Sequence, residues 1–337
     1  MSILCFAENP GGANGIIALA MQGENTHIIA EGSAVKYIQD HGIILSDGVP
    51  DQVSAIVVGA SHSHDSGSFE YILRAKEQGI PSFSYVDACV NTEFRFKGHT
   101  DDPLHYAPDF LFVTEMATEK SYINLGFDAS RIYIVGNPRY DFVVDRVEGL
   151  TKQSAPHKTV LFLADPVVPT IGADYKNSGF NTQSAEDVRS FVLLETLFSK
   201  LKNHKIIIKL HPRNHADEFA AYKNNATIYQ GDGLGIDLAF QVDMVIGTTT
   251  SLLAESALVG VPTIAALLTP QERQWLPHIL PDNLIVSTDG NHLGRAIEAI
   301  MDDGYARHYP SNKEGLCKKA GVKMLDIIKQ HCMIEAR

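Results

Sequence analysis

Along the whole chain, short runs of three to five mostly apolar residues alternate with longer segments whose apolar positions recur at helical spacing. The runs fall at residues 3–7, 27–30, 55–58, 82–86, 110–113 and 132–135, and after a break at 160–164, 206–210, 244–246, 263–267 and 284–286. A run that is apolar throughout, and not only at alternate positions, predicts a strand buried on both faces. Strands of that kind separated by helices predict a parallel sheet. The two sets of runs predict two doubly wound α/β domains. Their expected bounds are 1–147 and 159–312, with a linker at 148–158 and a C-terminal helix at 313–337 that could pack back on the first domain. The linker is polar and carries Pro and Gly, as connecting segments do. No repeat of solenoid period interrupts this pattern.

Ligands of parallel α/β sheets sit at the carboxyl ends of the strands, so the loops there hold the candidate chemistry. After the first run comes AENPGGANG (7–15), where Gly11 and Gly12 let the backbone approach a ligand closely or simply make a tight turn capped by Asn9 or Asn14. It is not GxGxxG and does not imply a dinucleotide. After the third run, GASHSHDSG (59–67) offers His62, His64 and Asp65. Their spacing does not suit a metal, and a histidine there could act as a general base. The segment after the fourth run holds Asp87, Asn91, Glu93 and Arg95. Charges beside a buried strand must be paired or functional. Either Arg95 pairs with Asp87 or Glu93, or one of those carboxylates is a base and Arg95 an anion contact. Arg139, in a turn at Gly136-Asn-Pro138, either points into the cleft or belongs to a hinge.

In the second half, a long Gly/Asn/Ser-rich loop follows the segment 159–170 and runs through Gln183. Lys209-Leu-His211-Pro212-Arg213 places a histidine and two cations at a strand end, the clearest local anion site in the chain. Asp237 reads as the cap of the helix that follows 231–237. The stretch GTTTSLLAESALVGVP (247–262) opens a helix with Thr248, Thr249, Thr250 and Ser251. The first backbone N–H groups of a helix lack partners and its dipole favours negative charge, so this start suits a phosphate. The plainer alternative is that one of these hydroxyls caps the helix. Leu252, Leu253, Ala257 and Leu258 belong to the core. Glu255, one turn on, hydrogen-bonds a donor ribose or holds the helix to its neighbour.

Composition narrows the partners. The chain has 337 residues, 45% hydrophobic and 20% charged, the profile of a soluble globular protein of two ordinary domains. No apolar run approaches the roughly 18 residues needed to span a bilayer. The N-terminus lacks the pattern of a signal peptide. Four scattered cysteines, with no CxxC, predict free thiols in a reducing cytoplasm and no metal site. A formal net charge of −12 excludes a nucleic-acid partner, but a basic pocket on an acidic protein can still take a small anion.

Together these residues resemble the GT-B glycosyltransferases, which have two facing Rossmann-like domains and an active site in the interdomain cleft. Leu252, Leu253, Glu255, Leu258, Gly260 and Pro262 fit the donor-binding helix of that class. Lys209-Leu-His-Pro-Arg213 is similar to the His-Pro motif that accompanies a Ser/Thr motif in bacterial sialyl-, polysialyl- and Kdo-transferases and in glycerol-phosphate polymerases, all users of cytidine-nucleotide donors. Gly136-Asn-Pro-Arg-Tyr-Asp141 resembles a turn of Kdo transferases and of non-hydrolysing UDP-GlcNAc 2-epimerases. The acidic Asp/Glu-Asp/Glu-Gly motif of the sialyltransferases has no counterpart in the first domain.

The resemblance implies a glycosyltransferase moving a sugar, of nonulosonic acid or Kdo type, from a nucleotide-activated donor with a lean to CMP. The acceptor would be a glycan, lipid-linked or not, or another hydroxyl compound. Transfer would be inverting, without a metal or other cofactor. Asp87, Glu93, His62 or His64 would be the base. Lys209, His211, Arg213 and the helix start at 249–251 would stabilise the departing phosphate. The implied setting is cell-surface polysaccharide biosynthesis, in the cytoplasm or peripherally at the inner face of the membrane. Oligomeric state is left open. Two other readings stand beside this one. One is a UDP-sugar 2-epimerase or hydrolase, which would need a second-domain acid such as Asp165, Asp232 or Glu255. The other is a non-catalytic nucleotide- or glycan-binding protein.

Overall fold

The computed structural model describes residues 1–153, 157–167, 188–202, 204–231, 233–302 and 305–334. The Gly/Asn/Ser-rich loop that follows Thr170 through Gln183 and the candidate acid Asp232 lie outside them. The chain forms two compact units, one made of Met1–Phe142 with Glu314–Arg337 and the other of Val143–Lys313.

The first unit is built on a six-stranded sheet: β1 (Ser2–Ala7), β2 (Asn25–Ala30), β3 (Ala55–Gly59), β4 (Ser82–Val86), β5 (Phe110–Val113) and β6 (Ile132–Ile134). Their order is β2-β1-β3-β4-β5-β6, and every pairing is parallel. β3 and β4 are buried at every position, as strands covered on both faces must be. The helices α1 (Pro10–Ala20), α2 (Gly32–Asp40), α3 (Ser68–Gln78) and α4 (Met116–Asn124) follow their strands, and α5 (Pro138–Val147) follows β6.

The second unit has six parallel strands of its own: β7 (Thr159–Leu163), β8 (Lys205–Lys209), β9 (Thr227–Tyr229), β10 (Met244–Gly247), β11 (Thr263–Ala266) and β12 (Leu284–Ser287). Their order is β12-β11-β10-β7-β8-β9, so the winding reverses between β7 and β10. Parallel α/β sheets bind their ligands at such a reversal. The helices are α6 (Arg189–Lys200), α7 (Gly235–Gln241), α8 (Ser251–Leu258) and α9 (Gly290–Met301). The short α10 (Lys313–Leu316) and α11 (Ala320–Ile334) follow. β9 is the strand that the apolar pattern does not announce. It is three residues long and lies at the sheet edge with its first residue exposed, so it needs no apolar run.

α11 returns to the first unit and packs on α1. Ala320, Met324, Leu325 and Ile328 join Ile16 and Ile17 in one buried cluster. Gly321 permits the approach, since a Cβ there would lie 2.5 Å from the Ala18 carbonyl oxygen. The carboxylate of Asp141 accepts from the backbone N–H groups of Lys319 (3.1 Å) and Ala320 (2.8 Å), fixing the start of α11.

Candidate functional site

In the second unit, the loops after β7, β8 and β10 enclose a pocket of about 440 Å³. Asp165 and Pro166 come from the first loop, His211 and Arg213 from the second, Thr249, Thr250 and Ser251 from the start of α8, and Arg189 from the start of α6. It stands at the carboxyl ends of β7 and β10, where the winding reverses.

Each wall is held by local hydrogen bonds. Asn214 ties the loop after β8 to the loop after β7, its Nδ2 donating to the Asp165 carbonyl at 2.8 Å and its Oδ1 accepting from Val167 N–H at 3.2 Å. The Arg213 backbone N–H donates to His211 Nδ1 at 3.1 Å, so the neutral imidazole carries its proton on Nε2. Burial pushes the His211 pKa below its ordinary value, Arg213 and Lys209 add to the shift and Asp165 opposes it. A neutral ring with an Nε2–H donor is what a charge-stabilising contact on a departing phosphate oxygen requires.

At the start of α8, Thr250 occupies the cap position with an extended backbone, yet no side chain caps the helix. Thr249 and Thr250 are half-buried and Ser251 is exposed. Thr248 behaves differently: it is buried, and its hydroxyl donates to Asp165 Oδ2. The four-hydroxyl run thus divides, with Thr248 bracing β10 against β7 and the next three lining the pocket.

Two expected contributors are set back from the pocket wall. Lys209 lies against Gly235, where a Cβ would come within 3.0 Å of its Cε. Burial lowers the Lys209 pKa and the charge of Glu255 partly restores it. Glu255 itself is buried in α8. Pro212 fixes the turn between His211 and Arg213, where Asn214 N–H donates to the His211 carbonyl at 2.8 Å.

Arg189 escapes sequence reasoning altogether. No sequence motif marks it. The one available signal is physical: a cation at a helix start opposes the dipole and must be compensated. Compensation comes from Asp165 at 3.3 Å and Glu272 at 2.8 Å, with the Trp275 ring 5.1 Å from the guanidinium carbon. Burial raises the Glu272 pKa, and Arg189 counteracts it.

In the first unit, Arg95 Nη1 donates to Asp87 Oδ1 at 2.8 Å, and Nη2 reaches the Val90 carbonyl at 3.4 Å. Asp87 Oδ2 lies against Gly11, where a Cβ would sit only 2.0 Å away. The N-terminus of α1 therefore already faces an anion, the protein's own carboxylate. Gly12 meets the backbone of Gly59, with a Cβ at 2.8 Å from its Cα, and Asn9 caps the helix by accepting from Gly12 N–H. Gly12 thus serves the close packing of α1 on β3, and Gly11 the approach of Asp87.

His62, His64, Asn91 and Glu93 are exposed. His64 Nδ1 contacts the Gly98 carbonyl at 2.5 Å and its ring stacks on His99. Asn91 adopts a left-handed conformation with φ 58°. Arg139 is buried, with Nη1 2.9 Å from His41 Nε2 and its guanidinium over the Phe142 ring. The turn holding Gly136, Arg139 and Asp141 is thus occupied with internal packing and with fixing α11.

No protein-family model matches the sequence, and no curated protein does. Solved structures do match. A UDP-GlcNAc 2-epimerase from Methanocaldococcus jannaschii, in complex with UDP-GlcNAc and UDP, has a TM-score of 0.59 at 15% identity, over 98% of this chain and 100% of the other. The UDP-GlcNAc 2-epimerase from Neisseria meningitidis bound to UDP-GlcNAc gives 0.62 at 11% identity, over 98% and 100%. The wall teichoic acid polymerase TagF gives 0.53 at 15%, over 100% and 90%. At such identities the likeness is one of fold. The chain has a GT-B-like, two-domain α/β fold.

Proposed function

We propose that this chain is a glycosyltransferase that binds the phosphate of a nucleotide-activated sugar in the second-unit pocket and passes the sugar to a hydroxyl acceptor. The carrying observation is the convergence of His211, Arg213 and the uncapped, hydroxyl-bearing start of α8 in one pocket where the sheet's winding reverses. In this reading the bond between the sugar's anomeric carbon and the phosphate oxygen breaks as the acceptor oxygen attacks. The departing phosphate takes the hydrogen bond of His211 Nε2–H and faces the free amides of α8, with Arg213 balancing its charge. The acceptor proton passes to a base. Within the first unit Glu93 and His62 are exposed, whereas Asp87 is committed to Arg95 and the α1 start. The cytidine lean and the inverting outcome rest on the resemblance of the 209–213 and 248–251 motifs, and no metal is assigned to the step.

A thermal-shift panel of CMP, CDP, UMP, UDP, GDP and TDP tests the reading. Selective stabilisation by CMP or CDP is expected. A panel without any shift would overturn nucleotide binding. A UDP-selective shift would remove the cytidine lean, and turnover of UDP-GlcNAc alone, with no acceptor present, would replace the transferase with an epimerase.

A further inference from the structure

The guanidinium of Arg189 is the most unusual polar group of the pocket. The residue is 7% exposed, lines the pocket and is fixed on three sides by Asp165, Glu272 and the ring of Trp275. Glu272 is itself held, its Oε2 accepting from the Leu268 N–H at 2.8 Å. An arginine has five N–H donors in a rigid fork. Among the described residues, Nη2 and Nε are buried without a hydrogen-bond partner, Nε facing Glu272 at 2.8 Å as an ion pair only. Buried donors in folded proteins are nearly always satisfied, so an exception calls for an explanation, and at a pocket wall a bound ligand is one.

We propose that Arg189 is an anion contact of this pocket, whose unsatisfied edge takes an oxygen of a bound phosphate group. The proposal rests on the donor-pocket reading and adds to it a residue and a role. The two flanking carboxylates outweigh the single charge of Arg189, so Arg213 and the start of α8 supply the attraction. Arg189 supplies direction: a fork already held by Asp165, Glu272 and Trp275 loses little freedom on binding. Thr248 donates to the same carboxylate oxygen of Asp165 that Arg189 faces.

The protein carries its own reporter. Trp275 is the only tryptophan of the chain, and the Arg189 guanidinium lies over its ring. Titration of the wild-type protein with the nucleotide that stabilises it, and separately with inorganic pyrophosphate, is expected to change Trp275 emission at the dissociation constant found by calorimetry. Arg189→Lys keeps the charge and removes the fork. It is expected to weaken binding by about 10- to 100-fold, the range for a hydrogen bond to a charged group, and to abolish the fluorescence change. Calorimetric binding with silent Trp275, or wild-type affinity in Arg189→Lys, overturns the proposal. If the variant does not fold, the wild-type titration decides alone. If pyrophosphate moves Trp275 and no nucleotide binds, the Arg189 assignment stands and the nucleotide-donor reading fails. If neither binds, both fail.

Discussion

His211 shows how much a single side chain can carry. Its ring accepts from the Arg213 backbone through Nδ1 and is half-buried beside two cations. Burial first, then Arg213, hold its pKa below the ordinary 6.5, against the pull of Asp165. The folded protein therefore takes up this proton at lower pH than the unfolded chain does. The stability contributed by the neutral ring is complete above pH 6.5 and is lost as pH falls from there through the folded pKa. An NMR titration of the His211 ring, assigned with His211→Gln, is expected to give a midpoint below 6.5; a midpoint at or above that value would sink the assignment of a neutral donor. His211, Arg213 and the hydroxyls were legible because they cluster in short motifs. Arg189 was not, because its carboxylate partners come from positions 24 residues before it and 83 after it, which only folding brings together.

At the level of elements, the start of α8 poses a choice between capping and ligand binding, and the two make opposite demands on Thr250. A threonine that caps a helix costs about 0.5–2 kcal/mol when replaced by alanine. Thr250 makes no capping bond. Thr250→Ala is therefore expected to change stability by less than about 0.5 kcal/mol, the usual range for substitutions away from such features. The same variant is expected to weaken nucleotide binding several-fold. Chemical denaturation and calorimetry on one protein sample separate the readings, and a large loss of stability with unchanged affinity would restore the cap. The glycine-rich turn before α1 teaches the converse lesson. In sequence it offered a ligand the same close backbone approach, but its space is filled by Gly59 and by Asp87. Local composition identifies a place where something comes close. Which partner comes close is decided by strands remote in sequence, here β3 and the loop after β4.

At the scale of the whole molecule, both sheets were legible because every strand but β9 carries an apolar run, and parallel sheets covered on both sides leave that mark. The path of the chain was legible only as an option, a C-terminal helix that could pack back on the first domain, and the last helix completes the first unit. α11 contributes Ala320, Met324, Leu325 and Ile328 to the cluster built around α1, and its start is fixed by Asp141. Nothing in the apolar pattern of 320–334 states which core it joins; the close contact of Gly321 with Ala18 does. That packing predicts a graded response along one helix. Met324 is fully buried, and Met324→Ala is expected to destabilise the first unit by about 2–5 kcal/mol, the cost of a large-to-small change in a packed core. Val322, on the same helix, is 42% exposed. Val322→Ala is expected to stay within about 0.5 kcal/mol of wild type, because little packing is lost and alanine favours the helix. Denaturant unfolding of the two variants checks this. Equal effects at both positions would mean that α11 rests on the unit without being part of its core.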